Sequence, residues 1–348
     1  MKWMKIYFAF FILAFFPFTG RTQSFENAGD YMDYIGKQNT NLSTIYLSYV
    51  SAVAHGKSAR KVEKRRIEVV NAITDTRLNI QGMPSWKGDK SYRDSTVAYL
   101  KLVNIVFNED YGKIVDMEEI AEQSYDAMEA YLLAQQKARE KLDAAIAQQN
   151  RTEEEFAKKN NINLVKSENE ISQKSKIASE LNKHHDDVYL VFFKAYKQEG
   201  YLMEAMNNKN IVALEQNKNS LKKFAEDGIE KLKTIKAYNN DPSLINACRQ
   251  ALVFYKLEAS QTQSATDFFM REENFNKLKK SFESKSASKR TKQEIDEYNN
   301  AVKELNDAVK DFNSTNNEIN KQRASVLNEW NKTMSKFMDY YMPVQKKV

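Results

Sequence analysis

Glycine and proline are so scarce in this chain that long helices are the fold that suits it best. The sequence has nine Gly and four Pro among 348 residues, whereas a sandwich or barrel of short strands needs turn residues far more often. Pro17 and Pro343 lie near the two ends, so only Pro84 and Pro242 mark corners inside the chain. The sequence therefore predicts an all-α fold with few sharp corners.

Apolar residues recur at the three- and four-residue steps of an α-helix. The clearest apolar face lies near the C-terminus and consists of Val326, Leu327, Trp330, Met334, Phe337, Met338 and Tyr341. The polar face of that helix mixes acids with bases, whereas a helix lying on a membrane carries more cations. We predict an elongated antiparallel bundle of long, coiled-coil-like helices, with this helix docked on the rest of the protein and Pro343 ending it.

Capping patterns predict where several helices start. Asp241 precedes Pro242, which suits a side-chain acceptor before a proline at the first helical position. Thr152 and Glu155 have the spacing of a capping box, so we expect a helix to restart there. The preceding helix is predicted over residues 116–149.

Two corners of the chain resemble each other. Residues 88–92 lead into the apolar run 99–103, and residues 240–244 lead into the run 251–255. We predict two helical halves of similar plan, residues 25–183 and 184–348, whose apolar runs occupy equivalent buried places. A duplicated unit and a chance likeness both explain this pattern, and a single continuous bundle containing both halves is a further alternative.

The first 24 residues have the order of a secretory signal peptide. A short basic start is followed by the apolar run 6–18 and by the small polar exit of Thr22, Gln23 and Ser24. Thirteen apolar residues are too few to cross a bilayer, although an uncleaved anchor is the alternative. We expect export to the periplasm or cell surface.

The net charge and the cysteine count limit which partners and which covalent cross-links are expected. Lys2, Lys5 and Arg21 supply three of the six net positive charges, so residues 25–348 carry only +3. This near balance gives no argument for nucleic-acid binding. The single cysteine, Cys248, excludes an intramolecular disulfide and lies in an apolar run typical of a buried position.

His184-His185-Asp186-Asp187 is the one cluster of metal-type ligands. His184 and Asp187 have the three-residue spacing that places two ligands on one helix face, but the sequence supplies no third ligand nearby. The alternative is a polar start to the core segment that follows. We predict neither a metal site nor a cofactor, and keep His184 and Asp187 as the only metal candidates.

Two basic stretches and one loop are candidate binding surfaces. The first stretch contributes Arg60, Lys61, Lys64 and Arg65, and the second spans residues 277–292. Either suits an anionic surface, while a solvated helix face is the alternative. Trp86 stands in the predicted loop 82–90, where an indole either pins the loop or contacts a partner.

No nucleophile or paired base stands in a recognisable catalytic motif, and three histidines offer few general bases. We therefore expect a non-enzymatic, exported interaction or scaffold protein that binds an envelope protein or a glycan, without nucleic acid and without a predicted membrane contact. One alternative is a ligand-binding or adhesin module using Trp86 or a bundle cavity. The other alternative is a hydrolase of an envelope polymer with paired carboxylates.

The leader, the helical body and the ending from Asn328-Glu329-Trp330 to Tyr340-Tyr341-Met342-Pro343 resemble the uncharacterised helical surface proteins of diderm bacteria. This resemblance covers residues 25–348. It implies a location in the envelope or at the cell surface, and it transfers no catalytic residues.

Overall fold

The computed structural model describes residues 24–54, 59–164 and 170–342. Every regular element within these ranges is a helix, and the only bridges there are two isolated contacts at corners. The predicted all-α class is therefore confirmed, while the elongated outline stays a prediction. The leader lies outside the described residues except for Ser24, as does Pro343.

The described part of the first half contains five α-helices. They are α1 (Ala28–Ala54), α2 (Ala59–Gln81), α3 (Ser91–Ile105), α4 (Tyr111–Ala121) and α5 (Tyr125–Lys159). A π-helical turn, Val106–Asp110, joins α3 to α4, and its Phe107 carbonyl accepts a hydrogen bond from the Arg66 guanidinium at 2.6 Å. The Ser124 hydroxyl accepts the Ala127 N–H and so caps the start of α5.

Residues 170–342, which the structure describes in the second half, also form five α-helices. They are α6 (Glu170–Asn207), α7 (Ile211–Leu232), α8 (Ser243–Gln261), α9 (Gln263–Glu283) and α10 (Lys292–Tyr341). Asn210 caps α7, and Thr291 with Glu294 forms a complete capping box at the start of α10. The short 3₁₀ turn Ala287–Lys289 lies between α9 and α10.

The helices of each half pack in the same order. In the first half α1 contacts α2, α2 contacts α3, and α5 contacts α3 and α4. In the second half α6 contacts α7, α7 contacts α8, and α10 contacts α8 and α9. The halves meet where α6 packs against α1 and α5. A core of buried side chains from both halves is therefore continuous.

Three predicted boundaries differ from the structure. The division at 183/184 lies inside α6, which spans Glu170–Asn207, whereas the preceding helix α5 already ends at Lys159. Thr152 lies inside α5, where its hydroxyl donates to the Gln148 carbonyl rather than capping a new helix. The helix predicted over residues 116–149 is divided before Tyr125, because Ser124 has an extended backbone and caps α5.

The two predicted corners have the same backbone conformation. The backbone groups of Trp86 and Asp89 pair across the first corner, and those of Tyr238 and Asp241 pair across the second. In each corner two consecutive residues have positive φ: Lys87 (49°) with Gly88 (84°), and Asn239 (47°) with Asn240 (62°). Such left-handed pairs favour Gly and Asn. In both corners the aspartate Oδ1 accepts the N–H of the serine two residues later, at 2.8 Å.

The apolar runs after these corners match in burial only in part, because Leu102 is exposed whereas the equivalent Phe254 is buried. Leu100 and Leu252 are both fully buried, and Val103 and Tyr255 are both in the core. Lys101 and Val253, at the equivalent intermediate position, are both exposed. Pro242 lies just before α8 rather than at its first helical position, although Asp241 acts as the predicted acceptor.

The C-terminal helix docks on the rest of the protein, as its apolar face predicted. Trp330 is 2% exposed and stacks on Phe192 of α6 at 4.3 Å between ring centroids. Phe337 and Met338 are buried on the same face. None of the helices that the structure describes is long and apolar enough to cross a membrane.

Candidate functional site

A cavity of about 290 Å³ opens where α1, α4, α5 and α6 converge. We call it the tyrosine cleft, because its walls include Tyr46, Tyr49, Tyr111, Tyr131 and Tyr189 together with His185. Burial raises the pKa of Tyr111 and of Tyr189 to about 12 and raises that of Tyr46 further. These hydroxyls therefore stay protonated near neutral pH and act as neutral hydrogen-bonding groups.

An ion pair between α5 and α6 lies at the rim of the tyrosine cleft. The Arg139 Nη2 donates to the Asp186 Oδ2 at 2.9 Å, and the two side chains are 19% and 17% exposed. His185 lies beside this pair, with its Nδ1 3.2 Å from the Asp186 Oδ1. The His185 ring stacks on Tyr189 at 5.5 Å between centroids. The pair thus fixes one polar edge next to an aromatic wall.

A second, strongly charged cavity of about 600 Å³ shares Arg139 and Asp186 with the tyrosine cleft. We call it the acidic groove, because its charged lining consists of Asp126, Glu129, Glu140, Asp143, Asp186, Asp187, Arg139 and Lys183. Asp186 pairs with Arg139, and Asp187 lies 3.7 Å from Lys183. Asp126 and Asp143 form no ion pair with the described residues. The groove therefore has a negative potential that favours a cationic group.

Of the two predicted metal candidates, Asp187 lines the acidic groove, whereas His184 lies outside both cavities. His185 and Asp186 border the tyrosine cleft, whereas His184 is buried against Tyr238 and Phe337 in the second half. Burial lowers the pKa of His184 below its ordinary value, which favours the neutral ring. No group of three or more metal-type ligands comes together within residues 24–54, 59–164 and 170–342.

Trp86 anchors its loop instead of presenting a free ring. Its Nε1 donates to the Asn160 Oδ1 at 2.9 Å, and its ring lies 6.1 Å from Tyr31. The Lys87 Nζ lies over the ring, 5.3 Å from its centroid. Of the two roles open to this indole, the geometry supports the one that pins the corner to the end of α5.

The predicted basic residues of α2 lie away from the tyrosine cleft. Arg60, Lys61 and Lys64 are exposed in the first two turns of the helix. Arg65 is half-buried and pairs with Glu68 at 2.6 Å. The structure does not bring these cations together with Trp86 or with His184 in one site.

Several lining residues were not singled out by the sequence. Tyr131, Gln135 and Arg139 follow one another at four-residue steps on α5, and Asn182, His185 and Tyr189 do so at three- to four-residue steps on α6. That spacing is also the spacing of core positions, so the pattern alone does not separate a cleft from a filled interior.

The fold and this site define an all-α protein with an aromatic cleft beside an acidic groove. Comparison with protein-family models, with curated proteins and with solved structures finds no match. The function is therefore inferred from the residues of the cleft and the groove.

Proposed function

We propose that this is an exported, non-enzymatic binding protein whose tyrosine cleft and acidic groove together hold a cationic, partly apolar segment of a partner protein. The observation that carries the proposal is the junction of the two cavities at Arg139 and Asp186. An apolar side chain of the partner suits the aromatic cleft, and a lysine or arginine suits the neighbouring acids.

Binding is favoured over catalysis by the state of the charged residues at that junction. Arg139 and Asp186 are hydrogen-bonded to each other, so each already has its counter-charge. Their role is to join α5 to α6 and to present a fixed edge. Export is supported by the leader of residues 1–24, and with it a partner in the bacterial envelope.

Titration with defined peptides tests this proposal. The probes are a short peptide of alternating Lys and Leu residues, the same peptide with Glu in place of Lys, and a neutral oligosaccharide. We expect only the cationic peptide to bind. The Asp126→Asn/Asp143→Asn variant removes two unpaired acids of the groove and should weaken binding about tenfold, at roughly 0.7 kcal/mol for each charge.

A matched variant controls for the loss of two negative charges. Asp296→Asn/Glu297→Gln changes two exposed acids of α10, away from the groove, and should bind the cationic peptide like the unmodified protein. Equal binding of the Lys and Glu peptides would overturn the proposal. Binding of the oligosaccharide alone would favour the glycan-binding alternative in its place.

A further inference from the structure

The second half carries an arm with no counterpart in the described part of the first half. We define the arm as residues 270–311, the part of α9 and α10 in which no side chain is buried. At its base, Lys209 pairs with Glu272 at 2.5 Å, and Phe312 stacks on Phe268. Beyond Glu272 the helix α9 continues for 11 residues, about 16 Å at 1.5 Å per residue. The arm is thus a two-helix projection from the body of the protein.

Charge is sharply divided along this arm. The tip, residues 277–293, has seven cations and one acid. The stalk, residues 270–276 and 294–311, has eight acids and three cations. A planar negative surface attracts such a tip and repels the stalk, so the arm would approach it end-on.

The tip is held in shape by contacts of its own. Phe282 and Tyr298 stack at 4.3 Å between centroids across the two helices. The Arg290 guanidinium lies 4.3 Å from the Phe282 ring centroid, and its Nε donates to the Phe282 carbonyl. The cations are therefore displayed on an ordered turn, which lowers the entropic cost of binding.

Three lysines of the tip lie apart from the ion pairs in the described part of the chain. Lys280, Lys289 and Lys292 are exposed and form no ion pair with the residues that the structure describes. Lys277 pairs with Glu273, and Lys285 pairs with Glu294, but these are exposed pairs of small energy. The three lysines are therefore the cations most available to an external anion.

We propose that the arm tip docks on a bilayer of anionic phospholipid, with Lys280, Lys289 and Lys292 contacting the phosphate headgroups. This inference goes beyond the binding cleft, whose walls lie on other segments of the chain. It assigns the arm the task of holding the protein at an anionic membrane surface with the stalk directed away from it. Each lysine near such a surface raises the binding constant about fivefold.

Co-sedimentation with vesicles of phosphatidylcholine containing phosphatidylglycerol tests the proposal. We expect the mature protein to bind these vesicles and not to bind vesicles of phosphatidylcholine alone. It should dissociate from the anionic vesicles as the salt concentration is raised. The variant Lys280→Gln/Lys289→Gln/Lys292→Gln should bind about 100-fold more weakly. The matched variant Arg60→Gln/Lys61→Gln/Lys64→Gln removes three exposed cations of α2 and should bind like the unmodified protein.

A fluorescent probe tests the end-on orientation. Ser286→Cys in the tip and Asn300→Cys in the stalk can each be labelled with an environment-sensitive dye, because the native Cys248 is buried. The dye should respond to anionic vesicles at position 286 and not at 300. Equal loss of binding in the tip and α2 variants would overturn the proposal. Retention on an anionic polysaccharide column without vesicle binding would also overturn it.

Discussion

A buried charge cluster in the second half predicts that the protein loses stability as pH rises through neutrality. Arg323 of α10 contacts Glu199 of α6 and Glu258 of α8. The two glutamates are 5% and 2% exposed. With both carboxylates ionised, the cluster holds one uncompensated negative charge in the core, which is costly at low dielectric.

The free-energy cost of this buried negative charge appears mainly as a raised pKa of Glu258. Its pKa is raised from 4.5 to about 7, because burial and the charge of Glu199 both raise it and together outweigh Arg323, which lowers it. The Glu258 Oε2 has no hydrogen-bond partner among the described residues, and nor do the nearby Tyr255 hydroxyl and Gln261 Oε1 on the same helix. A proton on Glu258 turns Oε2 into a donor and brings the cluster to neutrality.

The sign of the pH dependence follows from the direction of this shift. Because the folded pKa lies above the unfolded one, the folded state binds more protons between about pH 4.5 and about pH 7. Stability from this group is complete below pH 4.5 and is lost as pH rises through about 7. At 1.36 kcal/mol for each pKa unit, the loss is about 3 kcal/mol.

Glu258→Gln imitates the protonated side chain at every pH. We expect urea unfolding to give similar stability for variant and parent near about pH 5, and a variant more stable by about 3 kcal/mol near about pH 8. Glu318→Gln changes an exposed residue of α10 and is the matched control. Its stability relative to the parent should be the same at every pH. A difference between parent and Glu258→Gln that stays constant with pH would refute the reasoning.

Three further predictions concern the core and the turns. Trp330→Ala should lower the free energy of unfolding by about 3–5 kcal/mol, whereas Tyr340→Ala, at an 80% exposed residue, should change it by about 0.5 kcal/mol or less, as measured by chemical denaturation. Gly36→Ala, on an open helix face, should raise the midpoint of thermal unfolding by adding about 0.5–1 kcal/mol, and Gly88→Ala, at φ 84°, should lower it. Cys248, whose pKa is raised by burial, should resist thiol reagents in the folded protein and react once urea unfolds it, as followed by mass spectrometry.

The fold class and the two corners could be predicted because their signals are local. Scarce Gly and Pro, helical apolar spacing and the Asp-X-Ser segments after each corner are properties of neighbouring residues. The break at Ser124 was missed because no Gly or Pro marks it, and only the three-dimensional path shows that its hydroxyl caps α5. The Thr152–Glu155 pattern predicted a helix start that is absent from α5, because residues with the spacing of a capping pair can also lie within a continuous helix.

The candidate site depends on packing between distant segments and was accordingly harder to predict. Arg139 and Asp186 are 47 positions apart. Each lies in a run of charged residues, a pattern that is typical of a solvated helix face. Their meeting follows from the way α6 lies across α5, which no local pattern encodes. The same holds for Arg323, whose partners in α6 and α8 precede it by more than 60 residues.

The two corners favour duplication over chance as the origin of the halves. Turn chemistry alone explains why Lys87-Gly88 and Asn239-Asn240 have positive φ, since many unrelated turns share that need. It does not explain why each corner also docks on the far end of the last helix of its own half. Trp86 is bonded to Asn160 just after α5, and Tyr238 lies 5.2 Å from Tyr341 at the end of α10. Relative to this shared arrangement, the arm is an addition to the second half. The arm is therefore separate from the tyrosine cleft, which lies where the two halves meet.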